Sequence, residues 1–437
     1  MLQLCRYIAV LMIISSFAAC ASISDDSETS ESALKASGPS TPSPTMVEAN
    51  TRFGVDMLAH LTTSETGNVF FSPLSLSTAM GMLYAGARGG TAEAIENGLY
   101  LPNDNVHAQI GTIISKTNRA TEPMNVGTDH EDDPQALSVQ NSLWVDKRFT
   151  INPDFKSTLE THYQAEPFKV DFKGMADASR KKINDWVEKK TDNRIQDLLA
   201  QGTVTPDTKT VLVNTVYMKS HWGHFNERDT KPYPFRVNGD GWEARDVMEV
   251  AGTSKTDKFR FAKIGNTQSI VLPYYNKMSM IVILPPKGKG LEKLSREINS
   301  DRITAHIEAL GKAELDRRVN LRLPKFMLKA KYDLESALDA QGLGIIFNHN
   351  QADFGGISHE PLVVDKALQQ VFLDVNEKGT EAAAATALTV ITVSAERDNR
   401  RPVQFHVDRP FLMLILDGET GAIVFMGRIT DPNTASL

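Results

Sequence analysis

The chain has 437 residues, 41% hydrophobic and 23% charged, with 47 basic against 54 acidic residues and a formal net charge of −7. This is ordinary globular usage, which excludes wholesale disorder and collagen-like repeats, and the mildly acidic balance argues against a general phosphate-binding surface. Both cysteines, Cys5 and Cys20, fall in the first twenty residues, so the rest carries no thiol nucleophile, disulfide framework or thiolate metal site.

Residues 7–17 form an apolar run behind Arg6, short for a membrane span and suited to a signal-peptide core. The run ends in Phe17-Ala18-Ala19-Cys20, which resembles a bacterial lipoprotein cleavage box in which Cys20 becomes the lipidated first residue. Ordinary secretory cleavage at Ala19-Cys20-Ala21 is the alternative. Residues 22–45 are rich in Ser, Thr, Pro, Asp and Glu, the composition of a solvated tether. No Asn-x-Ser/Thr acceptor occurs, which is unusual for an exported eukaryotic chain of this size. The expectation is an exported bacterial protein with a signal peptide over 1–19, a lipidated Cys20 and tether over 20–47, and one domain over 48–437. The lipid would hold it at the cell envelope or surface; in the alternative it is secreted into the extracellular space.

From 48 to 430 there is no low-complexity break and no long Gly/Pro linker, which favours one large mixed domain. Ile183, Trp186 and Val187, then Ile195, Leu198 and Leu199, recur at helical spacing across 179–199, interrupted by Thr191-Asp192-Asn193. Leu334, Leu338 and Leu343 mark a second amphipathic stretch. Strands are expected at 210–218, 270–272 with 278–284, 319–323, and 410–416 with 422–425. Several are nearly continuous apolar runs, as strands buried on both faces require. Helices and strands do not alternate strictly, so the fold class is α+β with large, mostly antiparallel sheets.

Catalytic patterns are missing. There is no Gly-x-Ser-x-Gly elbow, no Walker loop and no G-x-G-x-x-G frame. His221 and His224 are three apart, but no third ligand lies near them in sequence, and Pro361 after His359-Glu360 rules out a helical zincin motif. No enzyme activity, metal or cofactor is expected.

The most unusual stretch begins at Glu377-Lys378-Gly379-Thr380-Glu381-Ala382-Ala383-Ala384-Ala385 and continues as Thr-Ala-Leu-Thr-Val-Ile-Thr to Val393-Ser394. An alanine tract alone reads as helix. This one passes directly into a β-branched, strand-prone run. No Pro or Gly occurs between Thr380 and Arg401, and no charge between Glu381 and Glu396. Such a segment can enter the middle of a sheet without losing a ladder bond or burying an ion. The following Arg397-Asp398-Asn399-Arg400-Arg401-Pro402 cannot, which implies a cut between the two.

Here the sequence resembles the serpin family, and other segments repeat the resemblance in the family's order. They are Asn68-Val69-Phe70-Phe71-Ser72-Pro73-Leu74-Ser75, Val213-Asn214-Thr215 with Lys219 and Trp222, and Leu323-Pro324-Lys325-Phe326. Ala352-Asp353-Phe354-Gly355-Gly356-Ile357-Ser358, Asp408-Arg409-Pro410-Phe411 and Phe425-Met426-Gly427-Arg428 follow. The resemblance implies the serpin fold, with about eight to nine helices, and a monomeric protease inhibitor that works by refolding. An exposed reactive-centre loop, 377–402, is attacked by a target serine protease, or a cysteine protease. It forms an acyl-enzyme and inserts into the main sheet, carrying the trapped enzyme with it.

The resemblance also assigns roles. Glu377, Gly379, Thr380, Glu381, Ala382, Ala383, Ala384 and Ala385 form the hinge. Ser72, Ser75, Asn214 and Gln369 form the shutter under the sheet, and Trp222 lies at the breach where the sheet opens. The small, apolar hinge favours an inhibitor over a carrier or other non-inhibitory binding protein. Family spacing from Glu377 places the reactive bond at Val393-Ser394, suited to elastase-like or subtilisin-like enzymes. The rival is a cut at Arg397 or at Arg400-Arg401 by a trypsin-like protease. Two departures stand out. The usual shutter histidine is Gln369, which can still donate and accept to Ser72, Ser75 or Asn214 without a pH switch. Trp222-Gly223-His224-Phe225 is one residue tighter than usual. The acidic 128–133 stretch argues against glycosaminoglycan binding.

Overall fold

The computed structural model describes residues 45–118, 136–165, 167–238, 241–254, 257–275, 277–288, 299–380 and 400–432. Helix α1 (Met46–Ser64) opens on a capping box: Thr45 Oγ1 accepts the Glu48 N–H at 3.2 Å while the Glu48 carboxylate accepts the Thr45 N–H at 2.7 Å. The helix therefore begins inside the stretch read as tether. Eight α-helices are present among the described residues, the others being α2 (Pro73–Gly86), α3 (Gly89–Leu99), α4 (Val106–Thr117), α5 (Pro153–Thr158), α6 (Phe172–Lys190), α7 (Ser300–Lys312) and the short α8 (Glu335–Leu338).

Three sheets organise the strands. The first runs β1 (Val69–Phe71), β16 (Ile423–Ile429), β15 (Phe411–Asp417), β9 (Met278–Leu284), β8 (Thr267–Pro273) and β7 (Phe261–Ile264), antiparallel throughout. The second runs β14 (Val403–His406), β10 (Val319–Pro324), β6 (Gly241–Val250) and β5 (Lys231–Val237). The third and central sheet runs β11 (Phe326–Asp333), β12 (Lys366–Asn376), β13 (Gly379–Thr380), β4 (Thr210–His221), β2 (Ala136–Asp146) and β3 (Pro167–Val170). Helices cover both faces of this central sheet, which is why β4 is buried nearly throughout. On one face α2 packs against β2 and β4; it is buried almost all round, as its run of Leu, Met and small residues requires. On the other, α6 seats Phe172, Ile183 and Val187 against Trp144, Val213 and Leu368.

The strand expectations at 210–218, 278–284, 319–323 and 410–416 match β4, β9, β10 and β15 within a few residues. The helix expected across 179–199 stops at Lys190. Asp192, Asn193 and Asp197 take positive φ (49°, 61° and 52°), turning the chain so that Ile195, Leu198 and Leu199 are buried from turns instead of from a helix. The apolar spacing is buried here without a helix.

Candidate functional site

The central sheet has a seam between β12 and β4. The two strands pair directly and in parallel from Lys366↔Val211 to Val371↔Val216. Above that level they part, and β13 lies between them, antiparallel to both: Thr380 faces Val375 on one side and Ser220 on the other, while Gly379 faces Asn376 and His221. The sheet is closed below and wedged open above by the hinge residues Gly379 and Thr380. Gly379 has φ +138°, and a Cβ there would come within 2.1 Å of the Ser220 carbonyl oxygen, so no other residue turns the chain into this slot without moving β4.

The wedge is held by named contacts. Thr380 is fully buried, and its Oγ1 lies 2.8 Å from the Tyr274 hydroxyl. Tyr274 stacks on Trp222 with ring centroids 4.9 Å apart and planes within 5°. Trp222 Nε1 donates to the carbonyls of Asn376 and Glu377, each at 3.1 Å, and its backbone N–H donates to Lys378 O at 3.0 Å. The indole thus grips the turn joining β12 to β13, despite the shortened segment that follows it. His224 Nε2 donates to the Pro273 carbonyl at 2.8 Å, giving this histidine a hydrogen-bonding place beside the tryptophan. Among the described residues, no group of three His, Cys, Asp or Glu is arranged to hold a metal ion.

Glu377 is buried under the same turn. Thr230 Oγ1 donates to its carboxylate at 2.6 Å and Lys325 Nζ approaches at 3.0 Å. Burial pushes this carboxyl up, but the Thr230 hydroxyl and the Lys325 ammonium outweigh it and hold the group below the usual glutamate range.

Halfway down the seam, beneath β12 and β4, lies a polar cluster. Gln369 Oε1 accepts the Ser72 N–H at 2.9 Å, and Gln369 Nε2 donates to the Ser72 carbonyl at 3.1 Å and to Asn214 Oδ1 at 2.5 Å. Asn214 Nδ2 reaches Ser75 Oγ at 2.5 Å and also Asn141 Oδ1. Ser72 Oγ caps α2 by accepting the Ser75 N–H at 3.2 Å, and donates to the Val424 carbonyl at 2.5 Å, joining the start of α2 to β16 through one hydroxyl. The four residues assigned from sequence meet here. Gln369 bonds Ser72 and Asn214 directly and reaches Ser75 only through these two.

Asn141, Tyr274, Thr230 and the pairing of Lys325 with Glu377 were not identified from the sequence. Asn141 and Tyr274 sit in strand or strand-end contexts that carry no motif, and only the sheet register brings them in. After Thr380 the description resumes at Arg400, whose guanidinium pairs with Asp316 at 2.6 Å and whose carbonyl accepts from Arg318 at 2.6 Å, just before β14 enters the second sheet. The remaining hinge residues Glu381, Ala382, Ala383, Ala384 and Ala385, the bond Val393-Ser394, Arg397, the acidic 128–133 stretch and Cys20 lie outside the described residues.

A family model described as Serpin (serine protease inhibitor) matches residues 48–432. Serpin B13 of Homo sapiens is 34% identical over 88% of this chain and 98% of its own length. The leukocyte elastase inhibitor of Equus caballus is 34% identical over the same shares, 88% and 98%. Among solved structures, that of maspin superposes with a TM-score of 0.77 at 28% identity, covering 89% of this chain and 98% of that one. The three-sheet architecture, the seam and the motif order agree with these matches over nearly the whole folded length: the chain belongs to the serpin family.

Proposed function

We propose that this chain is an irreversible suicide-substrate inhibitor of serine proteases, acting by insertion of residues 380–393 into the central sheet. The observation that carries the reading is the wedge: Gly379 and Thr380 already occupy the slot between β12 and β4, bonded to both, while the seam below them is closed. A sheet started in this way has a place for one more strand, and the alanine-rich, charge-free segment after Glu381 suits it. The protease serine attacks the Val393 carbonyl, the amine of Ser394 leaves, and the acyl ester ties the enzyme to the inserting strand. Elastase-like or subtilisin-like targets fit a small β-branched residue at the cut. The elastase inhibitor among the relatives is in keeping with this. The protein acts as a monomer, exported and anchored through a lipid on Cys20.

The test is incubation with a panel of serine and cysteine proteases. An SDS-stable complex with an elastase-like or subtilisin-like enzyme is expected. Complexes with trypsin-like enzymes alone would shift the cut to Arg397 or Arg401, and cleavage with no complex would make the chain a non-inhibitory serpin. Labelling of the growing bacterium with a radioactive fatty acid tests the anchor, and a Cys20→Ser variant should lose the label.

A further inference from the structure

Tyr274 stands at the end of a strand from a different sheet than the residue it touches. It follows β8 directly, and three contacts fix it in place: its ring lies on Trp222, the preceding Pro273 carbonyl is held by His224, and the following Tyr275 N–H donates to the His221 carbonyl at 2.8 Å. From that rigid position its hydroxyl meets Thr380 Oγ1 at 2.8 Å, with both groups buried. A buried hydroxyl without a partner is disfavoured, so the contact decides whether Thr380 stays in the slot or withdraws. It also decides register. A slip of one residue exchanges the two faces of a strand and would turn Glu381 toward Tyr274 in place of Thr380.

We infer that Tyr274 is a positioning residue for loop insertion, whose hydroxyl pre-seats Thr380 in register and so sets how often an attacked loop traps its protease instead of being released as cleaved product. The inference rests on the inhibitory reading. No atom of Tyr274 takes part in the acyl transfer; it acts through the competition between insertion and deacylation, which follow the attack on the loop.

The experiment compares wild type with Tyr274→Phe, Thr380→Val, the double variant and Thr380→Ser, against one protease that wild type traps. Two quantities are read: the rate at which the loop is attacked, and the moles of inhibitor consumed per mole of protease trapped. Tyr274→Phe keeps the ring on Trp222, so unchanged tryptophan emission checks that the site is intact. Loss of one buried hydrogen bond is expected to slow insertion about fivefold. Consumption per trapped protease therefore rises while the rate of attack stays the same. Thr380→Val should do the same, the double variant should be no worse than either, and Thr380→Ser should match wild type. Unchanged consumption in Tyr274→Phe overturns the inference, as does an equal loss of attack and trapping, or effects that add in the double variant. A wild type that traps no protease and gains no thermal stability on cutting defeats the inhibitory reading and the inference with it, and that result is visible before any variant is made.

Discussion

The Gln369 carboxamide and the Ser72 backbone exchange two hydrogen bonds, with Oε1 accepting the Ser72 N–H at 2.9 Å and Nε2 donating to the Ser72 carbonyl at 3.1 Å. An imidazole cannot reproduce that pair while neutral, because it has one donor and one acceptor on opposite sides of the ring. With Asn214, Asn141 and Ser75, the cluster under the seam is built without a titratable group.

The wild-type cluster should therefore be indifferent to pH. Gln369→His is expected to change this: a buried neutral imidazole resists protonation, its folded pKa falls below the unfolded value of about 6.5, and stability drops as pH falls through that window. Melting temperatures of wild type and variant between about pH 8 and pH 5 check it. A variant whose deficit stays constant over that range would show that the site solvates the ring.

Cutting the loop once should raise the melting temperature well above that of the intact chain. Insertion replaces the short β13 by a full central strand, adding ladder bonds on both sides. Limited proteolysis within 386–401 followed by calorimetry measures the difference. Equal melting before and after the cut would mean that the sheet does not accept the loop.

Thr380→Arg should convert inhibitor into substrate. The position is fully buried between two strands and under Tyr274, and an unpaired charge there costs several kcal/mol. Insertion slows and the acyl-enzyme hydrolyses first. Covalent complexes at the wild-type stoichiometry would sink the hinge assignment.

Glu377→Gln should lower stability by about 1–2 kcal/mol, since it keeps an acceptor for Thr230 but leaves Lys325 without its carboxylate. The folded pKa of Glu377 is depressed, so its contribution is complete above the unfolded value of about 4.3 and is lost as pH falls through the folded value. The melting difference between wild type and variant should accordingly shrink below about pH 4. A difference that persists in acid would assign the effect to packing.

On the proposed reading, spacing from Glu377 puts the cut at Val393-Ser394. A cut after Arg397 would lengthen the inserted strand by four residues and slacken the tether to the protease. Mass spectrometry of the released C-terminal peptide decides between them. A fragment starting at Ser394 is expected, and one starting at Asp398 or Arg401 overturns the spacing argument.

The sequence reading reached what is contiguous and missed what is assembled. Glu377, Gly379 and Thr380 were assigned through the family resemblance, which the contiguous run from Glu377 to Ser394 brought into view. Ser72, Asn214 and Gln369 were assigned through the family resemblance, and the structure brings them into hydrogen-bond contact. Tyr274 and Asn141 were not legible, because each contributes one polar atom from a strand or strand end that looks like any other. The 191–199 segment shows the converse: an apolar spacing that suits a helix is met equally well by turns when Asp and Asn accept positive φ.

The register of β13 has one further consequence. Counting on from Thr380, which faces Ser220 and Val375, residues 381–383 would meet parts of β4 and β12 that no longer pair with each other. Residue 384 would be the first to meet a closed rung, Val216 with Val371. The seam is thus a zip fastener whose top teeth are already parted. Three residues would slide in without breaking a rung, and from there each step of insertion would give up one parallel rung and gain two antiparallel ones. At no stage must the whole seam come apart at once. In this register Thr386 draws level with Asn214 and Gln369, so the slider crosses the polar cluster six residues beyond Thr380.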